Sequence, residues 1–189
     1  MSRLYLIRHG KPAAVWGEAD EDPGLDAAGR AQAEAARDYL MSLPQAERPR
    51  RVFSSPLRRC RETAAPTAAA LGVEVEIEPF VGEIPTPKAL SAEERPAWLR
   101  GVFQGRWKEV EGDLDYDAWR GEVVKALQAK AGAAVFSHYV AINAVISHLE
   151  CDERVLVFRP DHASISTLDS DGERLTLVER GREASTQVL

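Results

Sequence analysis

The sequence predicts an α/β protein, with a mostly parallel sheet flanked by helices and an antiparallel hairpin at its end. Three observations carry this. Short apolar runs at Leu4–Ile7, Val52–Phe53 and Ala133–Phe136 alternate with longer segments of helical periodicity. Each run stops at a polar cluster: Arg8-His9-Gly10, Ser54-Ser55 and Ser137-His138. Finally, Ser164–Leu168, the turn Asp169-Ser170-Asp171-Gly172, and Leu175–Glu179 have the pattern of a β-hairpin. No repeat or low-complexity linker divides the 189 residues, so one domain over 1–189 is expected, with a helical and loop insertion at about 80–131.

In chain order, Leu4–Ile7 is too short for a free helix and reads as a strand apolar on both faces. Gly10 allows a sharp turn and a close backbone approach. Lys11 to Gly24 holds Pro12, Gly17, Pro23 and an acidic cluster, and reads as a long loop. A helix is expected from Asp26 as N-cap to about Leu43, stopped by Pro44, with Ala33, Ala36, Leu40 and Leu43 inward. Arg51–Ser54 is a strand. Leu57 to Leu71 is a helix stopped by Gly72, with Pro66 expected to disturb or divide it. Val73–Ile77 reads as a half-exposed strand. Glu78 to Pro96, rich in proline, is an irregular excursion. Two helices follow, Trp98–Val110 and Tyr116–Ala131, anchored by Trp98, Phe103, Trp107 and Trp119 as core or lid packing. Ala133–Phe136 is a strand, Val140–Leu149 an apolar helix, and Arg154–Phe158 reads as a further strand. The last residues are polar and expected to fray.

Composition removes several function classes. Lys plus Arg number 24 against 30 Asp plus Glu, and a net charge of −6 disfavours a general nucleic-acid surface. A small anion in a locally basic pocket is still compatible. Cys60 and Cys151 are far apart and form no CxxC pattern, so free thiols in a reducing cytoplasm are expected rather than a disulfide framework. No signal peptide or membrane-spanning run is readable, and a cytoplasmic location is expected.

The chemistry gathers at the strand ends. In a parallel sheet these ends share one edge, where open α/β sheets bind ligands. Arg8 offers a planar fork of donors suited to a phosphoryl group. His9 could be a nucleophile, an acid/base or a metal ligand. His138 joins it from the fourth strand. The run Ser54-Ser55-Pro56-Leu57-Arg58-Arg59-Cys60-Arg61-Glu62-Thr63-Ala64 brings further arginines, and its helix start is expected to present amides to an anion.

On these residues the sequence resembles the histidine phosphatase family, the phosphoglycerate mutase-like superfamily. Arg8-His9-Gly10 is similar to its signature, and Ser54 to Ala64 to its S-S-x-L-x-R-A-x-Q-T-A run. Pro23 to Ala33 resembles its L-T-x-x-G-x-x-Q-A helix opening, and Ser137-His138 its second histidine. The resemblance implies a three-layer α/β/α fold of the phosphoglycerate mutase-like kind. It also implies catalytic His9, Glu83 and His138, with Arg8, Arg59 and His138 binding substrate. His9 would be phosphorylated, Glu83 would be the general acid, and a protonated His138 would stabilise the phosphoryl group. No metal and no cofactor are implied. The partner would be a small phosphorylated substrate or a phosphoprotein, with neither nucleic acid nor membrane.

The chain departs from the mutase pattern at Lys11, Pro12 and Val15, has Tyr139 where glycine often follows the second histidine, and has Asp161-His162-Ala163-Ser164 where an asparagine is common. These departures weigh against a bisphosphoglycerate-dependent mutase. The expected activity is a metal-independent phosphatase working through phosphohistidine on His9. The alternatives are a mutase-type phosphoryl transferase or a non-catalytic phosphate-binding regulatory protein. A zinc hydrolase fits poorly, because His9 and His138 lack metal-ligand spacing. Of the remaining candidates, Lys11, Arg58 and Arg61 read as solvated charges, His148 as a packed or surface histidine, and Cys60 as a small buried helix residue. His162, where the chain re-enters the sheet, is a candidate to line the pocket.

Overall fold

The molecule is described by a computed structural model covering residues 2–14 and 22–184. The expected continuity of the Lys11–Gly24 loop, the departure at Val15 and the frayed tail lie partly or wholly outside the described residues. Six strands form one sheet: β1 Ser2–Arg8, β2 Arg51–Ser54, β3 Val75–Ile77, β4 Ala133–Ser137, β5 Ile165–Ser170 and β6 Leu175–Glu179, in the order β3-β2-β4-β1-β5-β6. β3, β2, β4 and β1 are parallel, whereas β5 pairs antiparallel with β1 and β6 antiparallel with β5. The helices are α1 Ala27–Ser42, α2 Arg58–Leu71, α3 Arg95–Gln104, α4 Tyr116–Gln128 and α5 Tyr139–Leu149.

β1 shows why the sheet is sandwiched. Leu4 and Leu6 enter one core with Val123, Leu127, Val145 and Ile146 of α4 and α5. Tyr5 and Ile7 enter the opposite core with Leu40 of α1 and Cys60 and Ala64 of α2. Side chains alternate across a strand, so a run apolar at every position needs a layer of helices on both faces. The result is the expected three-layer α/β/α arrangement. A third cluster, with Ile84, Leu99, Val102, Trp107 and Tyr116, docks the 80–131 segment onto Tyr139, Val140 and Ala144 of α5.

Several expected boundaries move, each for a local reason. Pro66 sits inside α2 without dividing it. Thr63, Ala64, Thr67 and Ala68 are buried on both sides of it, so packing holds the helix through the missing amide. β3 starts at Val75 rather than Val73, because the Val73 amide donates to Ala68 O in closing α2 around the left-handed Gly72 (φ 69°). The expected Trp98–Val110 helix begins earlier and ends at Gln104, followed by a 3-10 turn at Trp107–Glu109. There the chain turns to pair with 153–155: Trp107 N donates to Glu153 O and Val155 N to Gly105 O. That pairing also overturns the strand expected at Arg154–Phe158. Arg154 forms only an isolated bridge to Arg106, and the Val157 and Phe158 amides donate to Asn143 Oδ1 at 3.0 and 3.1 Å. Among the described residues no helix is long and apolar enough to cross a membrane.

Candidate active site

The sheet register gathers the polar strand ends. Arg8 lies beside Ser137, and Ser54 beside Phe136, so residues 8–9, 54–55 and 137–138 share one edge. β5 runs antiparallel, so its beginning reaches the same edge, and this carries His162 there. Backbone bonds clamp the junction: His9 N donates to Ser137 O, Arg8 N to Ser164 O and Ala163 N to His9 O. The rings of His9 and His138 lie 5.3 Å apart, and those of His9 and His162 5.9 Å apart.

The close backbone approach that Gly10 allows is to α1. The Gly10 φ is not positive, and a Cβ there would come 2.6 Å from Gly29 O. A Cβ on Gly29 would in turn meet Lys11 O at 2.1 Å. The first turn of α1 therefore presses directly on the chain leaving β1. Asp26 caps that turn by accepting from Gly29 N, and Gln32 Oε1 accepts from Lys11 N at 2.9 Å. Thr63 Oγ1 accepts from Gly10 N at 2.9 Å and ties the same turn to α2.

Hydrogen bonds assign the state of both histidines. His9 Nδ1 lies 2.8 Å from Gly10 O, a carbonyl that can only accept. Nδ1 therefore carries the proton and Nε2 is left with its lone pair. Burial, then His138, Arg8 and Arg59, hold the His9 pKa well below 6.5. At His138, Arg59 Nη2 donates to Nδ1 at 3.2 Å, so Nε2–H donates to Ser55 Oγ at 2.7 Å. Burial and the neighbouring Arg59, Arg95 and Arg8 likewise lower its pKa well below 6.5. Three guanidinium groups thus oppose a positive charge on His138.

Arg8 is 4% exposed and Arg59 5%. Arg8 Nη1 donates to Pro160 O at 2.8 Å, its Nε is buried without a hydrogen-bond partner, and its guanidinium lies 5.0 Å from the Tyr139 ring centre. Burial brings its pKa down to about 10, so it stays charged. Glu83 Oε1 accepts from Ile84 N at 3.0 Å and from Val140 N, in the first turn of α5, at 3.2 Å. Arg8, His9, Arg59, Glu83, Tyr139 and His162 line one cavity of about 420 Å³. Burial, then Arg8, lowers the His162 pKa to about 4, so it too is neutral.

Other expectations fare differently. The start of α2 already receives an anion: Arg58 N donates to both carboxylate oxygens of Asp22. Arg58 pairs with Glu62, Lys11 pairs with Asp26 while lining the cavity, and Arg61 and His148 are exposed. Cys60 is fully buried, and burial pushes its pKa up, which makes it a packed thiol rather than an activated one. Among the described residues no three His, Cys, Asp or Glu side chains cluster as metal ligands.

The histidine phosphatase superfamily (branch 1) model matches residues 4–182, nearly the whole chain. The chain belongs to that superfamily. Among curated proteins no sequence match is found. Among solved structures, the mycobacterial glucosyl-3-phosphoglycerate phosphatase is 22% identical at a TM-score of 0.70, with 97% of this chain and 100% of that chain covered. A phosphoserine phosphatase from Entamoeba histolytica, solved with 3-phosphoglyceric acid, is 20% identical at a TM-score of 0.73, covering 96% and 98%. At these identities the likeness establishes the superfamily's fold.

Sequence reasoning named Arg8, His9, Arg59, Glu83, His138 and His162, and the structure brings them to one cavity or, for His138, against its floor. It missed the part played by Ser55, whose hydroxyl orients His138, although Ser55 stands at a strand end beside the superfamily's arginine run. It also missed Arg95, at the start of α3, whose charge reaches Glu83 and His138 while its Nε donates to Thr86 Oγ1. Only the fold of the 80–131 segment brings Arg95 there.

Proposed function

We propose that this protein is a phosphatase that hydrolyses a phosphomonoester through a phosphohistidine on His9 Nε2, without a metal, in the cytoplasm. The observation that carries the reading is the Nδ1–H···O=C bond from His9 to Gly10. It leaves an unprotonated nitrogen in a cavity floored by two buried arginines. Such a nitrogen is a competent nucleophile, and paired guanidinium groups match the non-bridging oxygens of a phosphoryl group.

In the first step His9 Nε2 bonds to phosphorus while the ester P–O bond breaks, and Glu83 gives its proton to the departing alkoxide. In the second, the Glu83 carboxylate takes a proton from water. The water oxygen bonds to phosphorus, the N–P bond breaks, and phosphate leaves with His9 neutral and Glu83 protonated again. The negative charge arriving with substrate favours the imidazolium of His138, so its protonated form belongs to the loaded enzyme. The neighbours act on phosphorylated metabolites by their names, and the mycobacterial protein is also known in complex with inorganic phosphate. A cavity of about 420 Å³ suits a small phosphorylated substrate.

The test is phosphate release from an aryl phosphate in EDTA, by wild type and His9→Ala, with acid quenching in search of an acid-labile phosphoryl group on the protein. Chelation-resistant turnover that disappears in the variant, together with a trapped phosphohistidine, is expected. Turnover by His9→Ala near the wild-type rate would overturn the mechanism.

A further inference from the structure

The cavity continues beyond its phosphoryl end, and there its character changes. α3 presents Pro96, Leu99, Arg100 and Phe103 to it, a spacing of i, i+3, i+4 and i+7 that defines one helical face. Phe103 meets the Tyr139 ring at 5.7 Å between centres, and Tyr139 reaches back to within 5.0 Å of the Arg8 guanidinium. The Tyr139 ring thus links the phosphate cradle to the apolar side chains of α3. Pro12, Ala14 and Pro23 also line it. Among the described residues lining the cavity there is no Ser, Thr, Asn, Gln or Asp. Among the same described residues, the charged side chains outside the cradle are Lys11, which is exposed and held by Asp26 at 2.9 Å, and Arg100, which is exposed. His162 is neutral.

We infer that the alcohol part of the substrate is a compact apolar group, so that the site takes alkyl or aryl phosphates in preference to sugar, glycerol or amino-acid phosphates. This rests on the phosphatase reading above. A polyhydroxylated leaving group would give up hydrogen bonds to water along a wall whose described side chains between the cradle and exposed Arg100 are apolar apart from the Tyr139 hydroxyl, whereas an alkyl or aryl group gains from burial there. The neighbouring structures carry names that point to carboxylated or sugar-bearing substrates, so fold likeness alone suggests the opposite preference.

The experiment compares methyl, propyl and hexyl phosphate with glycerol 3-phosphate, phosphoserine and 3-phosphoglycerate, using the full chain. It also measures binding of methyl-, propyl- and hexylphosphonate by calorimetry. We expect kcat/KM to rise about threefold per added methylene, close to the transfer value of one buried methylene. Propyl phosphate should exceed glycerol 3-phosphate, its equal in carbon count, by at least about tenfold. Phe103→Ala should lower the hexyl value about tenfold more than the methyl value. If glycerol 3-phosphate, phosphoserine or 3-phosphoglycerate matches propyl phosphate, the apolar preference is overturned while the phosphatase reading stands. If no ester is turned over, the phosphatase reading falls, and the phosphonates still decide: affinity flat from methyl to hexyl overturns the apolar slot, and rising affinity supports it.

Discussion

The two imidazoles of the site sit in opposite tautomers, and each is set by a single neighbour. Gly10 O keeps the proton on Nδ1 of His9, whereas Arg59 keeps Nδ1 of His138 bare. With its pKa held well below 6.5, His9 is available as a nucleophile through the mildly acidic range. After correction for substrate ionisation, kcat/KM should therefore show no fall as pH drops through about 6.5, the value at which a free histidine would titrate. A loss of kcat/KM centred there would show His9 to be an ordinary imidazole. Arg59 serves both His138 and the phosphoryl cradle, so Arg59→Ala should reduce kcat/KM by about 10²–10³-fold in the same assay. Glu83→Gln keeps the shape but removes the transferable proton. It should lower kcat by about 10²–10⁴-fold for esters of poor leaving groups. The loss should be smaller for an aryl ester whose phenolate leaves unaided, and equal losses on both would exclude Glu83 as the proton donor.

At the scale of elements, the junction between β1 and α1 sets where His9 stands. Gly10 and Gly29 touch through their backbones, so Gly29→Ala forces the chain leaving β1 away from α1. We expect a thermal midpoint lowered by several degrees and a larger proportional loss of activity, seen by comparing calorimetry with kcat/KM. Pro66 gives the converse case. Within α2 it offers no amide to the carbonyl one turn back, and packing holds the helix regardless. Pro66→Ala should stabilise the fold by about 1–2 kcal/mol, the helix-interior penalty of proline less the entropy it removes from the unfolded chain. Equilibrium denaturation showing no gain would mean that the helix has already relaxed around the ring.

For the molecule as a whole, the buried histidines couple stability to pH. The folded state keeps His9, His138 and His162 neutral, whereas the unfolded chain binds protons near the usual value of 6.5. The unfolded state therefore takes up more protons below that value, and the unfolding free energy decreases as pH falls. For His162 this loss continues down to about 4, its folded pKa. Denaturant titrations between about pH 7 and pH 5 should show stability decreasing towards acid, with a shallower slope for His162→Asn. Constant stability across that interval would mean that these imidazoles titrate normally in the folded state.

The linear sequence by itself determined the α/β class, the six strands of the sheet with one strand too many at 154–158, and the polar residues that meet at the strand ends. The reason is local: strand ends, an N-cap at Asp26 and the Ser54–Ala64 run are written in contiguous residues, and parallel strands bring their ends to one edge. Tertiary structure alone decided the charged surroundings of His138, the contribution of Arg95 and the apolar side chains that α3 sets against Tyr139. Each depends on groups distant in sequence, and burial and neighbouring charge exist only once the 80–131 segment has folded onto α5.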